Sequence, residues 1–314
     1  MTELILLTSF LIAFAIGSND ASNALSISIG AGVIRFKKAV FLFGILVFAG
    51  IWLNGNRVME TVGKNLIQVN PETLGFSLLI SAVLIILSNW KKFPLSTHQI
   101  IIGSLVGNAL ASNSPVNFLS LFKILLSWIT SPIIAVFISF FVYKLVEKFF
   151  LKIAFFKIER FLKTFLLISA SLISYNTGAN EVATVLGPVV YSGISINFFL
   201  LLSISSFLVF LGAYILSDRV IETVGKGILP LDPFSGFVAQ ISAGVSLFFF
   251  TLLGMPISTT YCMIGAITGV GMSKGLKTVK LGLIKKIAIN WGLSLSLAFF
   301  LSFVITKIIL IKFH

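Results

Sequence analysis

The stretch "GSNDASNA", Gly17–Ala24, sets an aspartate, two asparagines and two serines into an otherwise apolar run. A carboxylate at membrane depth costs on the order of 3 kcal/mol on insertion scales, so an aspartate retained there implies a task. Amide, hydroxyl and carboxylate oxygens are hard ligands suited to a cation such as sodium, whereas a carboxylate alone could carry a proton. Far along the chain, "GANEVATV", Gly178–Val185, repeats the pattern: Gly17, Asn19 and Asp20 match Gly178, Asn180 and Glu181 at an offset of 161. Asn23 and Ser22 add oxygens in the first copy, and Thr184 stands opposite Asn23 in the second. Gly17 and Gly178 are expected to let their helices unwind and expose backbone carbonyls.

A second pair of segments suits the opposite charge. "FPLSTHQIIIGSLVG", Phe93–Gly107, matches "MPISTTYCMIGAITG", Met255–Gly269, at an offset of 162. Pro94 and Pro256 should break the preceding helix, leaving Ser96 and Ser258 as N-caps of new ones. A helix N-terminus presents free N–H groups and a partial positive charge, which together suit an anion. Ser96, Thr97, Ser258 and Thr259 add hydroxyl donors, and neither motif core contains a lysine or arginine. Neutral donors favour release as well as binding. His98 follows Thr97, whereas Thr260 takes its place in the other copy; a lone histidine beside a cap reads as a hydrogen-bonded structural residue rather than a proton relay.

A third pair, "NRVMETVGKNLI" (Asn56–Ile67) and "DRVIETVGKGIL" (Asp218–Leu229), shares the second offset. It reads as an ion-paired interfacial helix, with Arg57 facing Glu60 and Glu222 facing Lys226. Three blocks in one order at nearly constant offset divide the chain into two homologous halves, 1–143 and 164–314, joined by a basic linker, 144–163.

The elements that position these motifs must be membrane helices. The 314 residues are 57% hydrophobic and 11% charged, far below the charge of a soluble domain. Runs such as Phe198–Leu216 and Leu293–Ile305 approach bilayer length. The first segment lacks a basic n-region and runs into the polar motif, so it does not read as a cleaved signal peptide. The fold class is an all-α polytopic membrane protein with two inverted-topology repeats and broken or re-entrant helices. Inversion follows from the cations. "RFKK" (Arg35–Lys38) and "NWKKFP" (Asn89–Pro94) in half one face uncharged counterparts in half two. The lysine-rich stretch Met272–Lys286 of half two faces the uncharged Asn108–Asn117. Under the positive-inside rule the halves have opposite orientation. The linker is then cytoplasmic, and about five crossings per half would put both termini outside, against which Lys307 and Lys312 argue mildly.

The net charge of +13 reports orientation and contact with anionic lipid, not nucleic acid. The single cysteine, Cys262, excludes an intramolecular disulfide. No phosphate-binding glycine loop or dinucleotide fingerprint appears, and no cofactor is expected. A channel would not need paired broken helices, and an intramembrane aspartyl protease would need two aspartates where this chain has Asp20 and Glu181.

The duplicated "GSNDASNA" and "GANEVATV", with two Pro-x-Ser-Thr segments, resemble the inorganic phosphate transporter (PiT) family over nearly the whole chain. The resemblance implies phosphate symport driven by sodium or protons across the cell membrane, and a homodimer. It implies phosphate ligands at Ser96, Thr97, Ser258 and Thr259, and sodium ligands at Asn19, Asp20, Asn23, Asn180 and Glu181. Glu181 and Thr184 depart from the first copy, so the two cation sites need not be equivalent. Sodium fits the oxygen-rich motifs better than a proton, which remains the alternative, as does sulfate for the anion. In either case a cation between carboxylate and anion would turn repulsion into attraction. Unit charges about 4 Å apart at an effective dielectric of roughly 20 interact by about 4 kcal/mol.

Overall fold

The computed structural model describes residues 1–68, 70–91, 96–150, 155–227, 232–275 and 281–313. Pro94 and the side chains of Arg219, Glu222 and Lys226 lie outside what is described, so the expected first proline break and the second ion pair do too.

Among the described residues the chain is helical, apart from one isolated bridge between Ile67 and Val116. In order, the helices are α1 (Thr2–Gly30), α2 (Phe36–Glu60), α3 (Pro71–Lys91), α4 (Thr97–Ala111), α5 (Phe118–Phe150), α6 (Phe155–Asn176), α7 (Ala183–Val190), α8 (Phe198–Gly227), α9 (Pro233–Leu252), α10 (Thr259–Lys274) and α11 (Leu281–Phe313). Two π-helical segments adjoin them: Thr61–Asn65 after α2, and Thr177–Val182 between α6 and α7. Among the described residues, seven helical stretches are long and apolar enough to cross a bilayer, from Thr2–Gly30 to Ile289–Lys312. Large apolar side chains such as Phe41, Leu53, Phe137 and Phe300 stay exposed on them, as a lipid-facing surface requires. The stretch 144–163 is made chiefly of the end of α5 and the start of α6.

The halves interlock through equivalent contacts. A Cβ on Gly17 would overlap the Val209 carbonyl, and one on Gly178 would overlap the Val47 carbonyl. Gly50 meets the Tyr175 carbonyl as Gly212 meets that of Phe14. Gly103 and Gly107 of α4 receive Leu295 and Phe299 of α11, while Gly265 and Gly269 of α10 receive Pro132 and Val136 of α5. Each half therefore lends its last long helix to the other. With lipid outside, no hydrophobic drive pulls helices together, and small residues that let backbones approach supply the packing.

Chain direction follows from the same contacts. Along α2, Val47, Gly55 and Met59 meet Gly178, Ala183 and Gly187 in turn, so α2 runs the same way as α6–α7. Residues 31–35 turn α1 straight back into α2. Thus α1 and its repeat counterpart α6–α7 run in opposite directions, which is compatible with inverted repeats.

One local expectation is corrected. The first motif does not unwind: α1 is a continuous α-helix through Gly17–Ala24. In the second copy the backbone widens into the π-helical turn Thr177–Val182 without breaking. The glycines serve close backbone approach, and that tight packing holds both helices wound.

Candidate functional site

A break occurs at the other motif. Helix α9 ends at Leu252, residues 253–258 are non-helical, and α10 starts at Thr259 with Ser258 as N-cap. Ser96 likewise precedes α4. Both serines have extended backbone as a cap requires, but neither side chain caps its helix. At 15 and 16 residues, α4 and α10 fall short of the roughly 20 that span a bilayer.

These two N-termini meet. The Tyr261 hydroxyl donates to Gln99 Oε1 at 3.1 Å, and these residues occupy matching positions in the halves. Tyr261 also lies against Ser96, whose buried Oγ has no aligned hydrogen-bond partner, and its ring packs on Trp291.

The first-half motif comes up beside them from α1. Asn23 Nδ2 donates to Asp20 Oδ1 at 3.1 Å and to Thr260 Oγ1 of α10 at 3.2 Å. Asp20 is buried, and its second oxygen, Oδ2, has no partner. A buried carboxylate oxygen left bare is costly unless a ligand completes it. Asn19 stands on the same turn, half-buried, with its carbonyl accepting from the Ser22 hydroxyl at 2.6 Å.

The second-half motif is built differently. Asn180 fastens the 253–258 break: Nδ2 donates to Thr251 Oγ1 and to the Met255 carbonyl, both at 2.9 Å, while Oδ1 accepts from the Ile257 N–H at 3.0 Å. Glu181 Oε1 accepts from the Thr259 hydroxyl at 3.0 Å and, more weakly, from the Thr259 N–H at 3.4 Å. The Glu181 carboxylate therefore sits at the positive end of α10, where an anion is favoured. Thr184 Oγ1 bonds back to the Asn180 carbonyl.

His98 completes this half, and the sequence alone does not place it there. Its Nε2 lies 2.9 Å from Asn180 Oδ1 and its Nδ1 3.1 Å from Glu181 Oε2, with the ring fully buried. The latter contact is at ion-pair distance but off the hydrogen-bonding direction. Amide and carboxylate oxygens both accept, so the Nδ1–Oε2 contact needs a proton, on the ring or on the carboxyl. The only sequence signal was the mismatch between His98 and Thr260. Trp128 of α5 was also not anticipated; its Nε1–H donates to the Pro256 carbonyl at 2.7 Å and pins the break from the opposite half. Asp20 and Glu181 are close enough to interact electrostatically. The structure thus gathers Ser96, Ser258, Thr259, Asp20, Asn180 and Glu181 around one buried centre, with Asn23, Thr97 and Asn19 on its half-buried margin.

The expected Arg57–Glu60 pair is replaced. Arg57 donates to the Leu252 carbonyl at the end of α9, and Glu60 pairs with Lys64 at 2.9 Å. An i,i+4 spacing favours the lysine, and the guanidinium satisfies a carbonyl left open at a helix C-terminus.

Short helices whose N-termini converge on buried carboxylates, one of them after a break, are the arrangement of a membrane transporter rather than an enzyme. The chain belongs to the Phosphate transporter family, which it matches over residues 16–302. It is 37% identical to a protein of Methanocaldococcus jannaschii described as a candidate phosphate permease, over 97% of this chain and 96% of that one. It is 28% identical to a protein of Bacillus subtilis described as a probable low-affinity inorganic phosphate transporter, over 95% and 94% of the two chains. A solved structure described as the sodium-dependent phosphate transporter superposes with a TM-score of 0.84 at 26% identity, over 99% of each chain. The protein is therefore a multi-pass membrane protein of a transporter family.

Proposed function

We propose that the protein imports inorganic phosphate across the cell membrane in symport with sodium, by alternating access of its two halves around the buried centre. The observation that carries this reading is the meeting of the α4 and α10 N-termini beside Asp20, whose Oδ2 is buried without a partner. Phosphate is held by Ser96, Thr97, Ser258 and Thr259 and by the first N–H groups of α4 and α10. Sodium is held by Asp20 with Asn19 and Asn23. Asn180 and Glu181 form the corresponding pocket of the second half.

The coupling is electrostatic. An empty Asp20 carboxylate repels phosphate by several kcal/mol, taking roughly 4 Å and an effective dielectric near 20. A sodium ion on Oδ2 removes that repulsion, so each ion raises the affinity for the other equally. Phosphate must also displace Glu181 from Thr259, which ties anion binding to rearrangement in the second half. Two halves packed through glycine-lined backbone contacts can then rock as rigid bodies about the site. The domain division at 1–143 and 164–314, a cytoplasmic 144–163, inverted topology and a homodimer belong to the same proposal.

Radiolabelled phosphate uptake into proteoliposomes tests it. Accumulation with an imposed sodium gradient, undiminished by excess sulfate, supports the reading. Accumulation driven by a proton gradient alone would replace sodium with protons, and block by sulfate would change the anion.

A further inference from the structure

We infer that His98 occupies the cation pocket of the second half, so that phosphate moves with sodium bound at one carboxylate, Asp20, rather than at two. The inference rests on the sodium–phosphate reading above and concerns how many sodium ions that site takes.

The repeat makes the comparison direct. Position 98 on α4 corresponds to position 260 on α10, and each reaches the carboxylate motif of the opposite half. Thr260 is short. It touches Asn23 and leaves Asp20 Oδ2 bare. His98 is long enough to reach both oxygens of its own pocket, Asn180 Oδ1 and Glu181 Oε2. The other hydrogen bonds to these oxygens also come from the protein: Ile257 N–H to Asn180 Oδ1, and the Thr259 hydroxyl and N–H to Glu181 Oε1. A carboxamide oxygen has two lone pairs, and both of Asn180's are used. A ring nitrogen 3.1 Å from Glu181 Oε2 leaves no room for an ion between them. One pocket is thus open and incomplete, and the other is filled by the protein's own side chain.

The test uses the full chain. Initial phosphate uptake is measured against sodium concentration in proteoliposomes, and bound ²²Na⁺ is counted on purified protein with phosphate present. The wild type is expected to show a Hill coefficient of about 1 and about one sodium per chain, and His98→Thr, which installs the residue found at the matching position 260, a coefficient approaching about 2 and a second bound sodium. Two sodium ions on the wild type would overturn the inference. So would a folded His98→Thr that still binds one. Should that variant fail to fold, the wild-type count decides. A wild type with neither sodium-dependent uptake nor bound ²²Na⁺ would instead overturn the symport reading, a separate result.

Discussion

The Tyr261 hydroxyl donates to Gln99 Oε1 at 3.1 Å, and these residues hold the same position in the two halves of the chain. Residues related by the repeat can touch only where the axis relating the halves passes between them. The helix starts carrying Ser96–Thr97 and Ser258–Thr259 flank that point. In the proposed alternating-access cycle, a bond across it changes as one half rocks against the other.

Tyr261→Phe removes the donor and leaves Gln99 Oε1 short of a partner. Losing a buried hydrogen bond costs roughly 1 kcal/mol, so apparent phosphate affinity should fall about fivefold. Uptake kinetics across phosphate concentrations check this. An unchanged half-saturation would separate the Tyr261–Gln99 bond from the transport cycle.

Asp20→Asn keeps the shape of the buried group and removes its charge. Losing an interaction of about 3 kcal/mol should lower sodium-driven uptake on the order of a hundredfold. Thermal unfolding in detergent should not fall, because an uncompensated buried carboxylate costs stability. Uptake and melting measured together distinguish a lost ion site from a damaged fold.

Gly17→Ala and Gly178→Ala should each destabilise the protein. The added methyl meets the Val209 or Val47 backbone carbonyl, which cannot move aside as a side chain could. Overpacking of this kind costs about 1–3 kcal/mol. Gly292→Ala in α11 is the control, since a Cβ there meets open space. It should be neutral or stabilising by up to about 1 kcal/mol from helix propensity. Melting of the three variants tests the contrast.

Asp232, just ahead of α9, gives a pH dependence. Partial burial raises its pKa, but hydrogen bonds from Lys274 and from the Ser235 N–H and hydroxyl outweigh that and hold it below the usual carboxylate value. A depressed folded pKa contributes stability that is present above the unfolded pKa, near 4, and is lost as pH falls through the folded value. Melting temperature should therefore drop on acidification below about pH 4, and Asp232→Asn should flatten part of that drop. An identical acid limb in the variant would remove Asp232 from the effect.

The parts legible in the sequence are those that the repeat encodes. Duplicated Gly-x-Asn-Asp/Glu and Pro-x-Ser-Thr segments placed both helix starts and the carboxylates. What stayed hidden depends on which residue of one half touches the other. His98 read as a local structural side chain because nothing in its own half explains it; its partners, Asn180 and Glu181, are some eighty residues away. Trp128 was one aromatic among many until its indole N–H met the Pro256 carbonyl. Gly17 and Gly178 were misread because glycine serves unwinding and close approach equally well, and only the neighbouring carbonyls decide between them.

The central claim is that phosphate and sodium cross together. ²²Na⁺ entry into proteoliposomes driven by an inward phosphate gradient, with equal sodium on both sides, tests it most directly. The account predicts that labelled sodium rises transiently above its equilibrium level, and that Asp20→Asn abolishes the rise. Phosphate entry without any movement of sodium would contradict it.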